Sequence, residues 1–288
     1  MRGTHVTVPT WAICAVILIF GILKLSLQSK VNSVNDIFFR RSFVDAQDDD
    51  ARCAHTAQHH GGPGSRGSGG PAVYSVREAR RRFGEATVTE ALNDVATRVR
   101  ACTQCELCRT RTQAVPGNGN PQADILFVGE APGWHEDRQG LPFVGAAGQF
   151  LNEMLDKIGL TRADVFVTNV VKCRPPGNRD PLPDEMAACA AYLDEQIALI
   201  KPKMIVTLGR FSMARWFPNE RISRIHGQAR RFGDVTVVPM YHPAAALHQG
   251  SLRAAVEADM MKLPRILEEM QREAQEAEES KPEQMRLF

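Results

Sequence analysis

The chain has 288 residues, 43% hydrophobic and 24% charged, enough for a full core and most simply one domain with appendages. A net charge of +2 excludes a uniformly basic coat for nucleic acid, so any basic face must be local. Seven cysteines, an odd number without a convincing secretory signal, argue against a disulfide framework and point to metal in a reduced compartment.

Residues 1–85 differ from the rest. Trp11 to Leu23 is a continuous apolar run, shorter than the about 20 residues a membrane helix needs, with Arg2 before it and Lys24, Lys30, Arg40 and Arg41 after it. An acidic patch (Asp45, Asp48, Asp49, Asp50) and a Gly-rich stretch beginning at His59-His60 follow; that composition builds no core and reads as linker. The segment is either a membrane tether or a disordered extension. The short span and uninformative flanks favour the extension.

From Thr87 the pattern is regular. Val88, Leu92, Val95 and Val99 recur at helical spacing and lead into the first cysteines. Asp124–Val128 predicts a strand and Ala146–Ile158 a helix ending at Gly159. Val165–Val171 predicts a strand, and Pro183–Ile200 a helix with proline near its start. Met204–Leu208 and Val235–Met240 are further strands, Arg210–Trp216 is a short helix, and Arg253–Met270 is a helix kinked at Pro264. Four β-rich runs separated by helices predict a three-layer α/β/α sandwich around a central four-stranded parallel sheet. Sites in such sheets lie beyond the carboxyl ends of the strands, which here carry Gly129-Glu130, Asn169, Gly209 and Tyr241-His242.

Cys102-Thr-Gln-Cys105 is a C-x₂-C pair at a helix end, and Cys173 and Cys189 are two distant thiols. Together they can close a four-thiolate site. Spacing alone does not choose between zinc and an iron–sulfur cluster, and Cys108 is close enough to replace one ligand. After the first strand come Gly129-Glu130-Ala131-Pro132-Gly133, Glu136-Asp137, and Gly140 to Gly145 with Phe143. Glycines there bring backbone amides close to a phosphate or a base, although a tight βα loop alone would also use them. Asn169 serves either as turn chemistry or as a reader of a base edge, since its amide pairs a donor with an acceptor. His242 opens a His-Pro-Ala loop at the same sheet edge.

Taken in order, Cys102-x₂-Cys105, GEAPG at 129–133, Glu136-Asp137, PFVG at 142–145, TNVVKCRPPGNR at 168–179, Cys189 and HPA at 242–244 resemble the family-4 uracil-DNA glycosylases, over about Val99 to Leu267. The resemblance implies a catalytic domain over residues 86–270 that hydrolyses the N-glycosidic bond of deoxyuridine in DNA and leaves an abasic site for base-excision repair. It further implies a 4Fe-4S cluster, structural rather than redox-active, on Cys102, Cys105, Cys173 and Cys189, with Cys108 free.

An enzyme acting on a base must extrude it into a pocket. By resemblance, Phe143 stacks on the uracil. Asn169 accepts from N3–H and donates to O4, and the Ala131 N–H contacts the base. His242 hydrogen-bonds O2 as the uracil leaves as an anion, stabilising charge that exists only near the transition state. Better-known uracil glycosylases carry Asp where this chain has Ala131, so either Glu130 or Glu136 orients the water or the cation is captured with little base assistance. The resemblance implies that Glu136 lies near uracil C5 to obstruct a thymine methyl. Lys172, Arg174, Arg179 and Arg253 are candidate phosphate contacts, and Leu247 a candidate wedge into the gap left by the extruded base.

Residues 271–288 read as a mobile charged tail ending in Gln284-Met-Arg-Leu287-Phe288, which resembles the peptide by which bacterial repair proteins dock to the replication sliding clamp. The expected protein is a monomeric, cytoplasmic, nucleoid-associated enzyme. Three other readings remain: a glycosylase of broader damaged-base specificity, a non-enzymatic zinc or iron–sulfur nucleic-acid-binding module, and a small-molecule nucleotide-binding α/β protein, disfavoured because the chain lacks a complete phosphate-loop pattern. The module leaves Phe143, Asn169 and His242 without a shared purpose.

Overall fold

The computed structural model describes residues 87–279; the apolar run at 11–23, the Gly-rich stretch and the terminal Gln284–Phe288 lie outside them. Helix α1 (Val88–Ala101) opens with a reciprocal cap. The Thr87 hydroxyl accepts from the Glu90 N–H at 3.3 Å, and the Thr87 N–H donates to the Glu90 carboxylate at 2.7 Å. A short helix, α2 (Leu107–Thr110), carries the chain past the first cysteines, and another, α3 (Trp134–Gln139), follows the GEAPG loop.

Six strands form one sheet: β1 (Asn118–Gly119), β2 (Ile125–Gly129), β3 (Phe166–Asn169), β4 (Met204–Leu208), β5 (Arg230–Phe232) and β6 (Val235–Met240), ordered β1-β3-β2-β4-β6-β5. The central β3, β2, β4 and β6 are parallel, as expected, and the two short edge strands are antiparallel additions to that expectation. Strands of so few residues have no readable periodicity, and they close off the exposed sheet edges.

Alternation along β2 sends Ile125 and Phe127 to one face and Leu126 and Val128 to the other. The first face packs on α4 (Ala146–Lys157) through Phe150, Leu151 and Met154, and on Val256, Met260 and Ile266 of two later helices. The second packs on α5 (Pro183–Ile200) through Leu193 and Ile200, with Leu92 of α1. This is the predicted three-layer sandwich, each face buried by apolar side chains.

Three boundaries differ from expectation. Strand β3 ends at Asn169 rather than Val171, because the chain bends there and the Lys172 ammonium takes the Asn169 carbonyl at 2.8 Å. The helix expected to kink at Pro264 is two helices, Gly250–Met260 and Leu263–Glu279. Proline cannot donate to a continuing ladder but suits the first turn of the second helix. That second helix runs through the stretch expected to be mobile as far as Glu279, with Arg231 reaching Glu273 at 3.6 Å. Among the described residues no helix is long and apolar enough to cross a membrane.

Candidate active site and thiol pocket

A cavity of about 280 Å³ opens at the carboxyl ends of the parallel strands. Glu130, Ala131, Glu136, Phe143, Asn169 and His242 all line it, so the base-handling residues expected from sequence converge on one place. Two glycines let them do so. A Cβ on Gly129 would lie 2.3 Å from Asn169 Oδ1 and 2.7 Å from the Phe143 ring, and one on Gly148 would lie 1.8 Å from the Phe143 carbonyl oxygen. Phe143 itself sits at φ 54°, a left-handed conformation uncommon for an aromatic residue. Its ring lies 5.7 Å from that of His242, inclined by 27°.

Asn169 is 1% exposed, and its Oδ1 has no hydrogen-bond partner. A buried, unpaired acceptor is costly unless a ligand completes it. His242 is the N-cap of helix Pro243–His248, and its Nδ1 accepts from the Ala244 N–H at 3.1 Å. Burial pushes the imidazole pKa down to about 4, while the Glu136 charge pulls the other way. With Nδ1 committed as an acceptor, a neutral ring carries its proton on Nε2 and offers a donor.

The two candidate carboxylates differ. Glu136 Oε1 accepts from the Val144 and Gly145 N–H groups, both at 2.9 Å, and Oε2 from Gly133 at 3.1 Å. It therefore ties the GEAPG loop to the PFVG loop. Glu130 has Oε1 fixed by the Phe211 N–H at 3.0 Å. Burial raises its carboxyl above the usual carboxylate range, against that N–H and the Arg210 guanidinium. Gly209, at φ 102°, makes room for it, since a Cβ there would lie 2.2 Å from Glu130 Oε1. Arg210 also pairs with Asp180, another residue of the cavity wall.

The expected phosphate contacts fare unequally. Lys172 must be corrected: it is fully buried, with its ammonium bonded to Thr168 Oγ1, the Asn169 carbonyl and Gln196 Oε1, and it cannot reach a phosphate. Arg179 lines the cavity and forks onto Glu185 at 2.6 and 2.9 Å. Arg174 donates to Asn178 Oδ1 at 2.6 Å. Arg253 pairs with Glu153 and Glu257 and lies over the Phe150 ring. Leu247 is 41% exposed on the helix that His242 caps. Gly148 and Asp180 were not anticipated as site residues; the second glycine of the PFVGAAG run was the one available signal.

A second pocket is lined by Cys102, Cys105, Cys108, Cys173 and Cys189 with Arg111, Lys172 and Tyr192. Among the described residues no three His, Cys, Asp or Glu side chains converge as they would around a single ion. Burial pushes the Cys105 thiol up to about 11 and the Cys189 thiol up to about 12, so a metal must displace their protons. Arg111 donates to Cys173 Sγ at 3.0 Å and the Lys172 N–H to Cys189 Sγ at 3.3 Å. An all-sulfur donor set with N–H donors aimed at two of the sulfurs fits an iron–sulfur cluster.

Residues 116–263 match the uracil DNA glycosylase superfamily. The chain is 48% identical over 184 residues to a type-4 uracil-DNA glycosylase of Sulfurisphaera tokodaii, covering 60% of this chain and 84% of that protein. A type-4 uracil-DNA glycosylase of Archaeoglobus fulgidus is also 48% identical over 184 residues, 60% of this chain and 92% of the relative. One of Thermotoga maritima is 42% identical over 181 residues, 61% of this chain and 94% of the relative.

Proposed function

Because the chain belongs to the type-4 uracil-DNA glycosylases of the uracil DNA glycosylase superfamily, we infer that its sheet-edge cavity receives a uracil extruded from DNA. The chain is a DNA N-glycosylase: it hydrolyses the bond between uracil and deoxyribose and leaves an abasic site.

One observation carries the assignment of roles: the orphaned Asn169 Oδ1 shares its cavity with an imidazole whose only free donor is Nε2–H. Uracil offers an N3–H to the first and an O2 to the second. Cytosine has no N3–H, so it leaves Asn169 Oδ1 unpaired. Phe143 stacks on the ring, and the Ala131 N–H contacts the base edge. As the glycosidic bond lengthens, negative charge collects on O2, and the preset Nε2–H stabilises it without reorganisation. Of the two carboxylates, Glu130 orients the water, because both oxygens of Glu136 already serve backbone N–H groups. Glu136 instead shapes the wall near uracil C5. Arg174, Arg179 and Arg253 are assigned to phosphates through exchange of their present partners, and Leu247 to the gap in the stack.

The cofactor is a 4Fe-4S cluster on Cys102, Cys105, Cys173 and Cys189. When bound it supplies a rigid crosslink between segments distant in sequence. The terminal Gln284-x-x-Leu287-Phe288 is assigned to a sliding-clamp groove, and deleting those residues should abolish clamp binding in a titration if it is correct.

The decisive experiment treats oligonucleotides containing one uracil, one thymine or neither with wild-type and His242→Ala protein and develops abasic sites with alkali. Cleavage confined to uracil and strongly reduced in the variant is expected. Equal cleavage by both proteins would remove His242 from the mechanism.

A further inference from the structure

We propose that Lys172 is a positioning residue for uracil recognition: its buried ammonium holds the main chain of Asn169 so that the unpaired Oδ1 stays aimed into the cavity. The inference rests on the uracil-binding reading of that cavity.

Asn169 poses a physical problem. Its Oδ1 is buried and unpaired before substrate arrives, and a side chain so placed gains by turning toward any nearby donor. Something must fix the backbone from which it projects. On one side the strand does this, through the Val170 N–H to the Gly129 carbonyl at 3.0 Å. On the other the strand has ended, and the Asn169 carbonyl is taken by Lys172 Nζ at 2.8 Å.

Lysine suits the position because three acceptors surround the nitrogen: Thr168 Oγ1 at 2.7 Å, the Asn169 carbonyl at 2.8 Å and Gln196 Oε1 at 2.7 Å. They match the three N–H groups of the protonated amine, whose pKa burial lowers from the usual 10.5 to about 7. The acceptors are themselves oriented. The Thr168 hydroxyl donates to the Pro116 carbonyl at 3.0 Å, and the Gln196 amide donates to the same oxygen at 2.6 Å. The network is closed, joining the end of β3 to α5 and to the chain before β1, and a closed buried network is stiff. The main chain of Lys172 is tied in turn to the thiol pocket by its N–H on Cys189 Sγ at 3.3 Å. One residue thus connects the wall of that pocket to the group that reads the base.

The test uses the iron-loaded full chain and measures the inhibition constant of free uracil against excision from a uracil oligonucleotide, alongside kcat and iron per chain. Lys172→Met keeps length and apolar volume but removes all three donors. Gln196→Met, which removes one anchor of the ammonium, decides the matter if Lys172→Met does not fold. Val171→Ala is the packing control: it opens a cavity at the next buried residue without touching the network. Expected is a rise of about tenfold in the uracil inhibition constant for Lys172→Met, a smaller rise for Gln196→Met, and none for Val171→Ala. An unchanged constant in the lysine and glutamine variants, or an equal rise in Val171→Ala, would overturn the proposal. A wild-type protein that neither excises uracil nor is inhibited by it would instead overturn the reading of the cavity.

Discussion

His242 is held neutral, with Nε2–H as its free donor, because its site makes the charged form expensive. Burial lowers its pKa from the usual 6.5 to about 4 against the pull of Glu136, and protonation would also cost the Nδ1 acceptor that caps its helix. Between about 4 and 6.5 the unfolded chain binds a proton that the folded chain does not. The contribution of this residue to stability therefore rises with pH across that window and is complete above it. Glu130 behaves oppositely: its raised pKa means that it loses its charge first as pH falls. The acid limb of kcat/KM should thus belong to Glu130 and lie above the ordinary carboxylate range. Glu130→Gln should be slower but flat with pH until about 4, where His242 titrates; kcat/KM profiles of the two proteins on a uracil oligonucleotide check this. His242→Ala should lower kcat by about 10²–10³, the usual cost of one preset donor to a developing anion. At this scale the sequence made His242, Asn169 and Phe143 legible through their place in ordered motifs. It misassigned Lys172, because the side chain of a lysine between a strand and an arginine-rich loop reads as surface charge until a bend in the chain folds it inward.

Elements carry the site through close approaches that side-chain chemistry does not announce. The loop before α4 presses its Phe143 carbonyl onto Gly148, where a Cβ would stand 1.8 Å away from a backbone atom that has no rotamer to change. Gly148→Ala should therefore displace Phe143 and abolish excision as well as lowering the melting temperature. Gly159→Ala is the contrast: φ is +74° but nothing lies within 4 Å. It should cost about 1–2 kcal/mol of stability from backbone strain alone and leave excision intact. Glu136 holds two loops with one carboxylate, and Glu136→Ala strands the N–H groups of Gly133, Val144 and Gly145. A loss on the order of 3 kcal/mol in urea unfolding is expected, with Glu136→Gln milder because an amide oxygen can still accept. The parallel strands and most helix limits were readable from apolar runs and their punctuation. The edge strands were not, since Asn118–Gly119 and Arg230–Phe232 are made by pairing with a neighbour rather than by any periodicity of their own. The different bonding of Glu130 and Glu136 was equally hidden, because it depends on which backbone N–H groups each carboxylate meets.

Across the whole molecule the cysteines join what the sheet leaves separate. Cys102 and Cys105 follow α1, Cys173 follows the bend after β3, and Cys189 lies on α5. Much of what holds α1 against α5 is a small apolar cluster that includes Val95, Val99, Tyr192 and the thiols themselves, aided by Arg98 on Glu195 at 2.6 Å. Without metal, the N-terminal segment would depend on that cluster and a few charge pairs, since buried thiols with raised pKa values contribute packing but no crosslink. A bound cluster closes long loops between these segments, and its binding free energy adds to folding free energy. Iron removal, or Cys173→Ser, should therefore lower the melting temperature and expose residues 87–111 to protease. Excision should fall with them, as the bend carrying Lys172 and Asn169 loosens. Cys108→Ser separates the ligand assignment from a general need for thiols, because Cys108 lines the same pocket. Retained iron, visible charge-transfer absorbance and melting temperature in that variant, with loss of all three in Cys102→Ser, Cys105→Ser and Cys189→Ser, would fit the assigned four. Loss in Cys108→Ser and retention in one of the others would reassign the ligand set, and a colourless protein with one zinc per chain would replace the cluster altogether.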